Sequence, residues 1–427
     1  MPSAPTRYCF LMTVMIVDGN LTKFIRTKNP SPDPAQPSPA TLRLRSPIKH
    51  TFQIQKTHTK TVMKTYLPYS LILAAAASGM ASGAETAYTT PVGYVTQTCK
   101  ADSDTYVGLP VRPSAAAAGA LSAAPDSTTV SGSAILSLSG NSGFTVNAFA
   151  NTHYAKFKSG AASGKWFVIT ANTASSITVN LTGASLIAAP TDTLEVIKFW
   201  TLATLFDPAA ATTNAATTPN AIVASTGTSP GTRNTQVLIP DLSGVGTDLS
   251  PTETYYVHAG IWKKVGGGAT SFNDYQLWPD TYVLVRNPVA VTIDTKYIIS
   301  GEVDTTNFEI PLRTAAASQQ DNFVALVRPV DVTLNALNLG GTLAFLDSTS
   351  TAPGGRRDQL LVYDTATVEH DKAPAKTYYR FSGQWRKVGG GAADFGTDVI
   401  PAGNGFIVRK YQAVGGPTYK WLNTPSY

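Results

Sequence analysis

The chain has 427 residues, of which 43% are hydrophobic and only 14% are charged. Its formal net charge of +6 at pH 7 comes from the first 84 residues, because the rest of the chain has 23 Lys and Arg against 25 Asp and Glu. The basic stripe typical of nucleic-acid-binding proteins is therefore absent after residue 84, and no nucleic-acid partner is expected.

The N-terminal part of the sequence is predicted to lie outside the mature protein. Residues 1–62 are basic, rich in Pro and without periodicity, and they are interpreted as a non-native leader or a wrongly assigned start. Residues 63–84 have the pattern of a signal peptide, since Lys64 precedes an apolar run and Ser82-Gly83-Ala84 is a small-residue cleavage site. The apolar run is shorter than the ~20 residues that span a bilayer. The sequence thus predicts an exported chain, periplasmic, surface-bound or extracellular, with no membrane span.

The remaining chain is typical of β structure, because Thr, Val, Ala, Gly and Ser dominate and short alternating runs are common. Ala115–Ala120 is expected to form a short helix or a flexible link, since Ala favours helices but Gly and Pro lie close by. Lys165–Thr170 and Ile177–Leu181 are expected to form a hairpin around a polar turn. Other predicted strands are Tyr88–Gln97, Asp104–Arg112 and Leu194–Leu205.

Two stretches share one pattern at an offset of 123 residues. Thr254–Ala269 and Thr377–Ala392 both contain Thr-Tyr-Tyr, a following Gly, and then Trp-Lys/Arg-Lys-Val-Gly-Gly-Gly-Ala. A second match, Asp104–Pro113 against Asp321–Pro329, has an offset of 217. Because the two offsets differ, the first copy must carry an insertion, placed at about 127–222.

These observations predict the domain organisation. The expected fold class is all-β, with two related β-sandwich or barrel-like domains that arose by internal duplication. The first domain is predicted at 85–288 and contains the β-rich insertion, and the second is predicted at 289–427. Cys99 is the single cysteine of the mature chain, so the fold must rely on its core and not on a disulfide.

Several motifs together resemble a known family. They are Thr90-Pro91-Val92-Gly93-Tyr94-Val95, Phe199-Trp200-Thr201-Leu202, Asp321-Asn322-Phe323-Val324-Ala325-Leu326 and the repeated Trp-Lys/Arg-Lys-Val-Gly element. The chain resembles a family of secreted, paralogous β-rich proteins of unknown function from verrucomicrobial bacteria, over nearly the whole mature part. The resemblance implies an exported, duplicated protein made in several versions, and it transfers no activity or catalytic residue.

Four aromatic residues of the repeat are candidate ligand contacts. Trp262 and Trp385 could present flat faces to a sugar ring, with Tyr255 and Tyr378 nearby. A hairpin turn is predicted just before each Trp, which would favour partial exposure. The favoured alternative is that these side chains pack in the cores or between strands.

Repeated charges and glycines form a second candidate group. Paired carboxylates could bind calcium or carry acid–base chemistry, but the spacing of dense calcium loops is absent, so turn capping and Arg–Asp pairing are favoured. The Gly runs beginning at Gly266 and Gly389 lack the Lys and Ser/Thr that follow in a phosphate-binding loop, and they are interpreted as turns. The repeat-equivalent charges are Asp104, Asp321, Arg112, Arg328, Arg233, Arg356, Asp241, Asp364, Asp248 and Asp371.

No catalytic residue, metal site or cofactor is predicted. His153, His258 and His370 are not kept between the two copies, as a duplicated site would require, and none has metal-ligand spacing. The expected function is that of an exported, non-enzymatic structural or adhesive protein of the cell surface or matrix. The alternative is a secreted carbohydrate- or ligand-binding module, followed by a polysaccharide-acting enzyme. The expected partners are further copies of the chain or a surface polysaccharide.

Overall fold

The computed structural model describes residues 90–128, 131–140, 143–211, 222–425 and 427. Within these ranges the protein is all-β, with 24 strands, one four-residue helix and three single 3₁₀ turns. The predicted all-β class is thereby confirmed. The predicted leader and signal peptide, 1–84, lie outside the described residues. No helix in the described ranges has the length and hydropathy to cross a bilayer.

The first half is built around a five-stranded antiparallel sheet. After two strands the chain enters an inserted sheet, and it then returns for the remaining elements of this half. These elements are β1 (Val92–Cys99), β2 (Ser103–Val107), β3 (Ala115–Ala120), β4 (Ser133–Ser137), β5 (His153–Phe157), β6 (Trp166–Asn172), β7 (Ser176–Asn180), β8 (Thr193–Lys198), β9 (Trp200–Thr201), α1 (Leu202–Leu205), β10 (Gln236–Ile239), β11 (Glu253–His258), β12 (Ile261–Lys264), β13 (Gln276–Leu277), β14 (Val283–Asn287) and β15 (Thr295–Glu302).

The second half contains the same elements without the inserted sheet. Its strands are β16 (Phe308–Arg313), β17 (Gln320–Ala325), β18 (Val332–Thr333), β19 (Gln359–Val362), β20 (Lys376–Phe381), β21 (Gln384–Lys387), β22 (Val399–Ile400), β23 (Gly405–Lys410) and β24 (Thr418–Asn423).

The two halves have the same strand order. The first sheet runs β12-β11-β10-β14-β2 and the second runs β21-β20-β19-β23-β17. The pairing register also corresponds, because Gln236 faces Tyr256 in one sheet and Gln359 faces Tyr379 in the other. Each half adds a two-stranded ribbon, β1–β15 or β16–β24. Because β15 pairs with β1 along its whole length, the first half extends to Glu302, and the predicted boundary between 288 and 289 is too early. This correspondence matches the internal repeat, and an origin by duplication stays a prediction.

Both repeated hairpins use the same two-residue turn. Ala259 and Gly260 join β11 to β12 with φ of 53° and 74°, and Ser382 and Gly383 join β20 to β21 with 51° and 75°. Positive φ at both central residues is the conformation whose twist matches that of antiparallel strands. The Gly at the second position therefore determines where each hairpin reverses and which residues pair.

The insertion forms a small β-barrel. Its six strands are ordered β3-β8-β5-β6-β7-β4, and bridges from Leu121 to Leu138 and from Asp126 to Ile135 join the two outer strands. Leu, Ile, Val and Ala side chains from all sides fill the interior. The hairpin predicted around residues 171–176 is present as β6 and β7. The barrel sheet begins at Ala115, earlier than the sequence comparison placed the insertion.

Two local predictions in this region are wrong. Ala115–Ala120 forms strand β3 and not a helix or link, because five of its residues pair along β8, and the ladder hydrogen bonds outweigh the helix preference of Ala. Leu194–Leu205 is not one strand, since β8 ends at Lys198 and the chain turns into α1. Thr201 caps this short helix by accepting a hydrogen bond from the Thr204 backbone N–H.

The two halves are packed into one compact unit, Thr86–Tyr427. A cluster of buried side chains drawn from both sheets lies between them. Tyr106 stacks on Tyr363 with ring centroids 4.1 Å apart, and Tyr282 meets Phe323 edge to face at 5.9 Å. This contact places the inserted barrel of the first half beside the β16–β24 ribbon of the second.

Candidate functional site

The four repeat aromatics lie inside the protein and not on its surface. Trp262 and Trp385 are buried, each in the core of its own half. The Trp262 indole N–H donates to the Phe206 carbonyl at 2.9 Å, as a buried indole requires. Neither ring can meet a sugar in this structure. The assignment of the two Trp residues as ligand contacts is therefore corrected, and packing is their role.

Their Tyr neighbours are buried as well, with the hydroxyl groups satisfied by carboxylates. Tyr255 donates to Glu253 at 2.7 Å, and Tyr378 donates to Asp398. Burial raises the pKa of both phenols, and the adjacent carboxylates raise it further. These two residues also stabilise the sheets, so their assignment as ligand contacts is corrected too.

The repeated aspartates form matching ion pairs where the halves meet. Arg286 holds both oxygens of Asp104 at 2.7 and 2.6 Å, and Arg409 holds both oxygens of Asp321 at 2.7 and 2.9 Å. Each Arg also contacts an aspartate of the other half, namely Asp371 for Arg286 and Asp248 for Arg409. The arrangement is reciprocal, so these charges tie each half to a loop of the other.

Two aspartates and two arginines of the repeat organise turns. Asp241 accepts from the backbone N–H groups of Ser243 and Gly244, and Asp364 accepts from that of Ala366. These hydrogen bonds lower the pKa of the Asp241 carboxyl. The pKa of Asp364 is lowered first by the hydrogen bond that the Thr367 hydroxyl donates and then by that from Ala366 N–H. Arg233 and Arg356 lie over the rings of Tyr256 and Tyr379 at 5.2 and 5.0 Å.

Arg112 and Arg328 are equivalent in sequence but not in their partners. Arg112 contacts Glu195 at 2.8 Å and Glu302 at 3.2 Å. Arg328 donates to the Thr424 carbonyl, and its Nε and Nη1 groups have no hydrogen-bond partner among the described residues. Burial lowers the pKa of the Arg328 guanidinium.

The glycine runs are turns. Gly266 and Gly389 both have φ of 77°, which an L residue adopts only at a cost. The middle glycines, Gly267 and Gly390, lie against Phe272 and Phe395, where a Cβ atom would approach the ring within 2.8 and 2.5 Å. No ligand is needed to explain these positions.

A cleft of about 840 Å³ opens between the inserted barrel and the second half. One wall comes from β6 and the turn after β7, and the other from β16, β17 and β24. The segment after β13 supplies the remainder. Of the repeated charges, glycines and aromatic residues proposed as site residues, Asp321 alone lines this cleft among the described residues. A concave site of this volume between structural units is the usual place for ligand binding.

Aromatic side chains join the three walls of the cleft. Trp278 has 38% of its surface exposed and lies 5.3 Å from the Trp166 ring and 5.7 Å from Phe199. Trp166 in turn lies 6.4 Å from Phe308 at the start of β16. The cluster holds the barrel against the second half and leaves the Trp278 ring partly open to a ligand.

Asp280 is a buried carboxyl in the cleft wall. It is 6% exposed, and no ion pair to it is found among the described residues. Burial raises its pKa to about 7. Its backbone carbonyl accepts from Ala325 N–H at 3.0 Å, which fixes the segment across the junction of the halves. The carboxyl is therefore largely protonated below neutral pH.

The sequence prediction missed Trp166, Trp278 and Asp280. The repeat contained a signal for the last two, because Trp278-Pro279-Asp280 stands where the second copy has Pro401-Ala402-Gly403. A site confined to one half must lie where the copies differ. Residues kept in both copies are therefore packing positions, and Trp278 and Asp280 of the cleft lie where the repeat is broken.

The described residues contain no group of three His, Cys, Asp or Glu side chains placed to hold a metal ion. No protein-family model matches this sequence, and comparisons with curated proteins and with solved structures give no significant match. The chemistry of the cleft is therefore the basis for assigning a function.

Proposed function

We propose that this is an exported, non-catalytic β protein of the cell surface or matrix that attaches to polysaccharide through the cleft. The observation that carries the proposal is the partly open Trp278 ring within a cleft rimmed by hydrogen-bonding side chains. Export follows from the signal-peptide pattern at 63–84.

The aromatic part of the cleft suits a sugar ring. Pyranose rings present apolar C–H faces, and an exposed indole offers a flat apolar surface of matching size. Trp278 is held by Trp166 and Phe199, so little side-chain freedom is lost when a ligand stacks on it. Polar groups at the rim, including Asn180 and Thr281, are placed to bond to hydroxyl groups.

Carbohydrate hydrolysis is less well supported than binding. Hydrolysis of a glycosidic bond ordinarily uses two carboxyl groups, one of them ionised and facing the sugar. In the cleft, Glu309 is paired with Lys420 at 2.8 Å and Asp321 is held by Arg409. Asp280 is thus left without a second free carboxylate among the described lining residues. This arrangement favours a binding role.

The test is a binding screen of the purified mature chain against polysaccharides, by affinity electrophoresis followed by calorimetry. Trp278→Ala should reduce affinity about tenfold or more, in keeping with the loss of one stacked aromatic. Tyr94→Ala is the matched control, because Tyr94 is 74% exposed on β1, outside the cleft. Thermal unfolding of both variants checks that the fold is retained.

Three outcomes would overturn the proposal. The first is a wild-type protein that binds no polysaccharide in a broad screen. The second is equal affinity in wild type and Trp278→Ala. The third is robust turnover of any polysaccharide by the pure protein, which would replace the non-catalytic role with an enzymatic one.

A further inference from the structure

We infer that the cleft selects an anionic saccharide, one that carries carboxylate or sulfate groups. The inference rests on the proposed function and names the class of ligand for that same site. It is carried by two cationic side chains in the cleft, neither of which forms a direct ion pair with a carboxylate among the described residues.

Lys165 and Arg313 are these two cations. Lys165 lies on the barrel wall at the start of β6, and Arg313 lies at the end of β16 on the opposite wall. Within the described part of the chain, neither forms an ion pair with a carboxylate. Arg313 donates to the backbone carbonyls of Leu242 and Ser243. Those two contacts fix the guanidinium in place and leave other N–H donors for a ligand.

The acidic groups of the cleft do not offset this charge. Glu309 is neutralised by Lys420, and Asp321 is neutralised by Arg409 from outside the cleft lining. Asp280 is buried and has a pKa raised to about 7, so it carries only part of a negative charge at neutral pH. The Asp241 carboxylate, whose pKa is lowered chiefly by its backbone hydrogen bonds and further by Arg313, offsets part of the Arg313 charge from the adjoining turn. The cleft therefore has a small positive excess, contributed chiefly by Lys165.

The rest of the protein does not share this excess. The chain after residue 84 has 23 basic and 25 acidic residues. A polyanion is therefore not drawn to the molecule by its overall charge, and any preference for acidic glycans must arise locally. Cations on facing walls, about an open indole, can bind a charged sugar by its ring and its acidic substituent together.

The experiment compares a polyuronate with the same polymer after reduction of its carboxyl groups, by calorimetry on the mature chain. We expect the polyuronate to bind about tenfold more tightly, since two partly exposed ion contacts contribute about 1 kcal/mol or less each. Affinity for the polyuronate should fall as NaCl is raised, and affinity for the reduced polymer should not.

Lys165→Gln tests the assignment of the charge. It should lower affinity for the polyuronate about threefold to fivefold and lower affinity for the reduced polymer by a smaller factor. Lys296→Gln is the matched control, because Lys296 is exposed on β15 outside the cleft, and it should change neither affinity. Equal losses in the two variants would overturn the inference, because the attraction would then be non-specific.

A sulfated polysaccharide and its desulfated form distinguish the two anionic groups. Preference for both charged polymers means that charge itself is recognised, and preference for the polyuronate alone means that the carboxylate is recognised; either result supports the inference. Equal binding of all charged and neutral forms overturns it while the carbohydrate-binding function stands. Binding of none overturns the proposed function as well.

Discussion

A buried ion pair in the second half has a neutral counterpart in the first, and this difference yields a quantitative prediction. Asp358 and Lys410 are fully buried and paired with each other. At the equivalent positions of the first half, Thr235 donates to the Asn287 side-chain oxygen at 2.7 Å. An equivalent backbone N–H donates to the pair in both halves: Leu346 N–H to the Asp358 carboxylate, and Val223 N–H to the Thr235 hydroxyl.

Removing one charge should be costly. Lys410→Asn leaves Asp358 buried with two backbone donors, Leu346 N–H and Tyr411 N–H, each at 2.7 Å, and no counter-charge. Burial already raises the pKa of Asp358 and lowers that of Lys410, because desolvation disfavours both charged forms. Loss of one partner of a buried pair destabilises proteins by about 3–5 kcal/mol. We expect the same range for Lys410→Asn and for Asp358→Thr.

The double variant Asp358→Thr/Lys410→Asn copies the neutral pair of the first half. It should lose no more than about 2 kcal/mol, because the desolvation cost of both charges disappears and only side-chain volume is lost. The expected coupling between the two sites is then about 4 kcal/mol or more, the sum of the two single losses less the loss in the double variant.

Urea unfolding at pH 7 of the wild type, both single variants and the double variant measures this coupling. The surface pair Glu309 and Lys420 is the control, and its coupling should be about 1 kcal/mol or less. Additive losses at Asp358 and Lys410, with the double variant 6 kcal/mol or more below wild type on the figures above, would refute the reasoning.

Three further predictions concern stability. The free energy of unfolding of the wild type should fall as pH rises from about 4 to 7, by up to about 4 kcal/mol. The reason is that burial raises the pKa of Asp280 to about 7, so the folded state binds this proton more tightly than the unfolded state does. Asp280→Asn should remove this pH dependence. Urea unfolding at pH 5 and pH 8 checks this, and an unchanged slope in the variant would contradict it. Arg409→Lys should lower the free energy of unfolding by about 2 kcal/mol, since Lys cannot hold both oxygens of Asp321. Thermal unfolding measures the loss, and an unchanged melting temperature would mean that the pair is only a surface contact. Gly389→Ala should cost about 1 kcal/mol because its φ is 77°, and an unaffected urea midpoint would show that the turn tolerates a side chain.

The fold class and the repeated hairpins could be predicted from the sequence because both depend on local chemistry. Alternation of apolar and polar residues indicates strands, and a Gly between two such runs indicates where the chain reverses. The pattern around Gly260 and Gly383 therefore led to the observed β11–β12 and β20–β21 hairpins. The helix preference of Ala gave the wrong prediction for Ala115–Ala120, because pairing with the distant strand β8 decides the conformation there.

The candidate site could not be predicted in the same way. Trp262 and Trp278 have similar sequence surroundings of polar and β-forming residues, yet the first is enclosed by its core and the second is open to the cleft. Exposure of a side chain depends on which elements pack over it, and here those elements are the barrel at 115–198 and the ribbon β16–β24. Contacts between segments more than a hundred residues apart leave no local pattern.

By itself, the sequence determined that this protein is built from strands, that one hairpin design occurs twice, and that an extra β-rich segment lies in the first copy. Each of these depends on residues close together in the chain. Only the tertiary structure decided that the repeated Trp residues are core, that Arg286 and Arg409 join the halves reciprocally, and that Lys165, Trp278 and Arg313 share one cleft. The reason is that burial and charge compensation are properties of the packed molecule, set by neighbours that the linear order does not reveal.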